Sequence, residues 1–164
     1  MYNIVKADIS DREEIMQLYD EQKGREFCAW EESYPSYETI DYDLSRDCLF
    51  VMKERGRIIA AISIDKDDKV EELKCWNRDL FPGGELSRVA VSPSMQNKGI
   101  ARRMMEHGIR VLRERGYKSC HFLVNRDNLK AVRSYSYLNF DSVGECFLYD
   151  QHFLCYEKAL QLLE

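Results

Sequence analysis

The amino-acid sequence predicts a mixed α/β (α+β) domain in which helices flank a central sheet. Two observations carry this. Short β-rich runs separated by turn-forming residues occupy both halves of the chain, and one strongly amphipathic helical stripe stands between two of them as a strand, helix, strand crossover. In order, the elements read β α α β β β α β α β β. A length of 164 residues suits a single domain spanning 1–164 with its own core. Hydrophobic residues at 45% and charged residues at 32% lie far from the composition of disorder.

Residues 3–7 alternate as a strand does, and Ser10 with Glu13 has capping-box spacing ahead of Ile15, Leu18 and Tyr19, so a helix follows. Residues 28–35 read as a loop, and Pro35 opens a second helix carrying Tyr37, Ile40, Asp41 and Leu44. Two β-rich runs, 48–53 and 58–64, flank Glu54-Arg55-Gly56-Arg57 and form a hairpin. Residues 65–84 are polar, lack periodicity and end in Pro82-Gly83-Gly84, which marks a loop on the substrate side. Residues 85–91 form a buried strand. Ile100, Ala101, Met104, Met105, Ile109 and Leu112 then fall on one helical stripe that stops at Gly116. A strand over 119–124, a short helix over 127–138 and two β-like runs within 143–158, broken near Asp150-Gln151, complete the chain.

The net charge of -5 counts against a phosphate-backbone binder, so no nucleic-acid partner is expected. The same acidity would steer a cationic substrate, or simply keep the protein in solution. The N-terminus lacks a basic region followed by an apolar one, and no run approaches the ~20 apolar residues of a membrane span, which predicts a cytoplasmic protein with no membrane partner. The six cysteines contain no C-x-x-C pair and read as buried free thiols. Cys146, His152 and Cys155 match no zinc spacing, and no metal is expected.

The chemistry concentrates between Leu86 and Arg102. A strand passes through a short turn into a helix whose start contains Gly99 and the small Ala101, leaving backbone N–H groups open at the positive end of the helix dipole. That arrangement suits a pyrophosphate. Taken alone, Gly99 would also serve a plain strand-to-helix turn. The segment resembles the phosphate loop Q/R-x-x-G-x-G/A of the GNAT (GCN5-related N-acetyltransferase) superfamily, with Gln96, Gly99 and Ala101 in place and Val91-Ser92-Pro93 similar to the family's strand ending. A second family pattern, N-x-x-A-x-x-x-Y-x-x-x-G-F, is matched by Asn128, Ala131, Tyr135 and Phe140, with Asn139 replacing the glycine. Asparagine also tolerates a left-handed backbone.

The resemblance implies a GNAT-like, mostly antiparallel sheet that splays after its fourth strand to admit acetyl-CoA. It implies that the backbone of Val89, Ala90 and Val91 pairs with the pantetheine arm. Gln96 opens the loop in which Asn97, Lys98, Gly99, Ile100, Ala101 and Arg102 hold the pyrophosphate, and Asn128 contacts the cofactor. Arg103, on a solvated helix face, serves solubility equally well. Glu85 becomes the carboxylate that takes the amine proton, directly or through water, although it would also serve as a strand-edge charge. Tyr135 becomes the acid that protonates the departing thiolate. It shares a helical face with Ala131 and Leu138 and would equally fill a core. In ribosomal-protein acetyltransferases of the superfamily the base is a glutamate five positions before the cofactor asparagine. This chain has Leu123 there, a departure from that branch.

Trp30, Tyr34 and Tyr37 cluster where the superfamily builds its acceptor pocket, and would bind substrate or close the core. Glu31, Glu32 and Glu38 nearby suit a cationic amine. Cys120 and His121 are neighbours on a predicted strand and point to opposite faces, which argues against a dyad. The expected activity is N-acetyl transfer straight from thioester to a primary amine in a ternary complex. The alternative is a non-catalytic acyl-CoA-binding or sensing module, against which Tyr135 speaks. The acceptor, a small-molecule or peptide amine, is left open, as is a homodimer formed through the C-terminal edge strand.

Overall fold

In the computed structural model, which describes residues 2–26, 28–65 and 67–161, strand β1 (Asn3–Lys6) leads through one 3-10 turn into helix α1 (Arg12–Gln22). The capping box stands two residues earlier than Ser10 and Glu13. The Asp8 carboxylate accepts from Ser10 N at 2.8 Å, and the Asp11 carboxylate accepts from Asp8 N at 3.0 Å. Aspartate is the stronger cap at a positive helix end, which shifts the start. Helix α2 (Tyr37–Ser45) is capped by Ser36 rather than opened by Pro35. Strands β2 (Leu49–Glu54) and β3 (Arg57–Asp65) form the expected hairpin, closed by Arg55 and Gly56 at φ of 52° and 77°. Paired left-handed residues give the turn whose twist matches the strands.

The stretch from 65 to 84, read as loop, is one only in part. Leaving aside residue 66, it contains a one-turn helix α3 (Asp68–Glu71), a 3-10 turn at Arg78–Leu80 and the first residues of β4 (Gly83–Val91). It escaped notice because single anchors hold it instead of a periodic face: Val70 is buried, and Trp76 Nε1 donates to Val70 O at 2.7 Å. Helix α4 (Ile100–Glu114), β5 (Ser119–Asn125), α5 (Leu129–Tyr135), β6 (Asp141–Leu148) and β7 (Gln151–Ala159) follow. Helix α5 is shorter than the predicted 127–138, because Asn128 caps it and a 3-10 turn, Ser136–Leu138, ends it.

The seven strands form one sheet in the order β1-β2-β3-β4-β5-β7-β6, antiparallel except where β4 meets β5. One face packs against α1 and α2 through Ile15, Tyr19, Ile40, Val51 and Ala90. The other packs against α4 through Met104, Met105, Ile109 and Leu112, each burial contributing roughly 1.5–3 kcal/mol. Helix α4 lies close on β4 because Gly108 has no side chain: a Cβ there would sit 2.6 Å from Leu86 Cδ2. Among the described residues no helix is long and apolar enough to cross a membrane, and no group of three His, Cys, Asp or Glu is arranged to hold a metal ion.

Candidate active site

The parallel pairing of β4 with β5 lasts three residues, Gly83, Glu85 and the residue between them against Ser119 to His121, and then stops. A bulge bends β4 away. In the register with β3, Ala90 faces Ala61 and Ser87 faces Ser63, so Arg88 and Val89 stand opposite the single Ile62. Arg88 takes the extra residue's strain at φ 48°. Its guanidinium Nη2 donates to both oxygens of Asp43, at 3.0 and 2.9 Å, and Nη1 donates to the Tyr34 hydroxyl at 3.0 Å. Asp43 is fully buried and also accepts from the Ser63 hydroxyl at 2.7 Å. A desolvated ion pair on α2 thus fixes the bulge that opens the sheet.

The opening is a cleft of about 820 Å³. Glu85, Val89 and Val91 line its β4 wall, Phe122, Leu123 and Val124 its β5 wall, and Asn128, Ala131 and Tyr135 of the α5 region close one side. Trp30, Tyr34, Asp67 and Tyr149 surround the other end. The two residues proposed for proton transfer therefore face one space. Tyr135 packs edge-on against Phe122, with centroids 5.3 Å apart, and burial pushes its hydroxyl up to about 12, which keeps it protonated throughout the neutral range. Glu85, only 7% exposed, pairs across the sheet with His121. That ring lies beneath Trp76 at 4.5 Å, and burial lowers its pKa to about 4, which leaves it uncharged. Trp30 lines the cleft and packs edge-on against buried Tyr19 at 5.5 Å.

The turn into α4 places Asn97 and Gly99 in the left-handed region, at φ 63° and 75°. A Cβ on Gly99 would meet nothing within 4 Å, so the helix start is an open cradle. Ala101 lines the cleft, Ile100 turns into the core, and Ala90 packs in the opposite core. Asn97 and Lys98 are exposed, and Arg102 reaches Glu106 at 3.8 Å and the Tyr137 ring at 5.5 Å. Asn128 accepts from Ala131 N at 3.1 Å, so one side of its amide caps α5 while the residue lines the cleft. Tyr37 is not part of this wall. It is exposed on α2 under the Arg12 guanidinium, 4.1 Å from its ring. His107 and His152, bonded to Arg110 at 2.9 Å and near Glu145 at 3.3 Å, lie outside the cleft lining.

Sequence reasoning missed the Asp43–Arg88 pair and a junction at the end of β4. Gln22 and Gln96 each donate to the Val91 carbonyl, at 2.9 and 2.8 Å, and Lys130 of α5 donates to Gln96 Oε1 at 3.1 Å. Gln96 thus has a structural duty in the loop whose pattern singled it out. The positive φ of Arg88 left no trace in residue type.

The family model for the acetyltransferase (GNAT) family matches residues 12–140, which is most of the chain. The chain belongs to this family. It is an acetyltransferase whose acetyl donor is acetyl-CoA. No curated protein matches it in sequence. Its fold is similar to that of the ribosomal-protein-S18-alanine N-acetyltransferase of Escherichia coli, with a TM-score of 0.75 at 17% identity over 100% of this chain and 97% of that one. An N-acetyltransferase of Staphylococcus aureus Mu50 gives a TM-score of 0.77 at 17% identity, covering 98% and 99%. The acetyltransferase yncA of Salmonella typhimurium, solved with its cofactor acetyl-CoA, gives 0.76 at 17%, covering 100% and 96%.

Proposed function

We propose that this chain moves an acetyl group directly from acetyl-CoA to a primary amine held at the Trp30 and Tyr34 end of the cleft. The observation that carries this reading is that Glu85 and Tyr135 line one opening in the sheet, next to a glycine-opened helix start. The residues fit the donor. Val89 to Val91 border the cleft with no strand on that side, as an extended pantetheine arm requires, and Asn97 to Arg102 offer backbone N–H groups at the positive end of α4 for the pyrophosphate. Acetyl-CoA supplies the activated acyl group. Glu85 takes the proton that the ammonium must lose, directly or through water, and Tyr135 holds a proton ready for the sulfur that leaves. The lining carries Glu26, Glu31, Asp67 and Glu85 against Arg25, Arg88 and Lys130, and Arg88 is neutralised by Asp43 outside the lining, so the balance favours a positively charged acceptor.

A thiol-release assay with acetyl-CoA and a panel of amines tests the reading. Thiol should appear only when a cationic amine is present, and salt should raise the acceptor KM, because screening weakens charge attraction. Release of thiol at the same rate without any amine would defeat it.

The phosphate cradle has its own test. Aspartate and asparagine both tolerate the left-handed backbone that Gly99 adopts, and they differ in charge alone. Gly99→Asp should lose about tenfold or more in acetyl-CoA affinity relative to Gly99→Asn, read from the rise in melting temperature with ligand concentration. Equal affinity in the two variants would place the pyrophosphate elsewhere.

A further inference from the structure

The β6–β7 register, together with the loop after α3, gathers three thiols on one face of the sheet. Cys155 of β7 stands opposite Gly144 of β6, and Cys146 stands opposite Phe153, so all four positions share a face. Gly144 leaves a notch there. Cys75 fills it, since a Cβ on Gly144 would lie 3.2 Å from Cys75 Cβ. Directly opposed residues in antiparallel strands hold their Cβ atoms about 4.5–5.5 Å apart, which brings Cys75 within reach of Cys155. Cys155 has both thiols as neighbours, Cys146 diagonally across the ladder and Cys75 in the notch directly opposite it, and the directly opposed place is the nearer one. The loop is fastened on both sides of this contact. Trp76 packs on His121 with the rings tilted by 30° and their centroids 4.5 Å apart, and Asn77 N donates to the Glu157 carboxylate at 3.1 and 3.2 Å.

We propose that Cys75 and Cys155 are an oxidisable pair, a disulfide site that a small-molecule disulfide closes. The half-buried Cys75 reacts first. Its thiolate attacks the reagent disulfide RSSR, forming a Cys75–SR mixed disulfide and releasing RS⁻. The Cys155 thiolate then attacks the Cys75 sulfur and expels the second RS⁻. The two protein thiols give up two protons and two electrons, and RSSR is reduced to two RSH. The new bond would tie the loop behind Asp67 and Val70 to β7. These residues border the acceptor end of the cleft together with Tyr149 and Gln151, so the bond joins two of its walls. The pair stands on its own, whatever the acceptor proves to be.

Burial raises the pKa of both thiols, so the reaction is slow near neutrality and quickens as pH rises. Below the thiol pKa the thiolate fraction, and with it the rate, should climb up to about tenfold per pH unit. The test exposes the folded full chain, free of other thiols, to excess bis(2-hydroxyethyl) disulfide and follows the intact mass. The expected product has lost two hydrogens, regains them with dithiothreitol, and yields an unreduced peptide linking Cys75 to Cys155. Cys146→Ser should still form it, and Cys75→Ser should not. A chain that keeps all six thiols free, a reagent adduct that never resolves, or a bond joining any other pair would each overturn the proposal. Because the bond is mapped in the unsubstituted chain, a variant that misfolds does not decide the outcome.

Discussion

Tyr135→Phe is expected to lower turnover roughly a hundredfold, about 3 kcal/mol in the barrier, while acetyl-CoA affinity and stability stay near those of the unsubstituted chain. The phenylalanine ring keeps the edge-on contact with Phe122, and the cleft-lining residue loses only its hydroxyl. The wild-type pH profile supplies an independent readout. With its pKa pushed up to about 12, Tyr135 stays protonated at any pH well below that value, so its ionisation should cause no basic fall in activity there. Undiminished turnover in the phenylalanine variant, at saturating substrates and with chemistry rate-limiting, would return Tyr135 to a packing role.

Asp43→Ala should cost about 3–5 kcal/mol of stability in urea unfolding, the loss typical when one partner of a desolvated ion pair is removed. The magnitude follows from burial. The Asp43 side chain is 0% exposed and that of Arg88 is 8%, so water cannot replace the missing carboxylate. The double variant Asp43→Leu with Arg88→Met should recover most of the loss, since an apolar pair of similar volume avoids the buried charge. It should still damage acetyl transfer, because Arg88 sits in the bulge that opens β4. A loss below about 1 kcal/mol in the single variant would mean that the pair is solvated.

These two residues mark what could be read from the chain. Tyr135 stood out because it sits at a fixed distance from Asn128, and local spacing on a helix survives in a linear sequence. The stripe on α4 and the β2–β3 hairpin were legible for the same reason. Asp43 and Arg88 are far apart in sequence and meet only because helix α2 packs on the sheet over β4, a tertiary contact that residue types do not encode. The same holds for Gln22 and Gln96 on the Val91 carbonyl. The 65–84 segment misled because Trp76 and Val70 anchor it singly, so no period betrays its order. Leu123, where ribosomal-protein acetyltransferases would carry a glutamate, lines the cleft and offers no carboxylate there.

The short pairing of β4 with β5 has a consequence for association between molecules. Strand margins without a neighbour usually lie at the rim of a sheet, where they invite another chain to add on. Here, beyond Glu85, β4 and β5 each lack a strand neighbour toward the cleft, and these two margins face each other in the interior. The walls of the cleft shield them from another protein's strand, and a narrow extended molecule can still enter. The fold therefore needs no charged or proline guard on these strands, and it can keep Val89, Val91, Phe122 and Val124 at a bare margin without recruiting copies of itself.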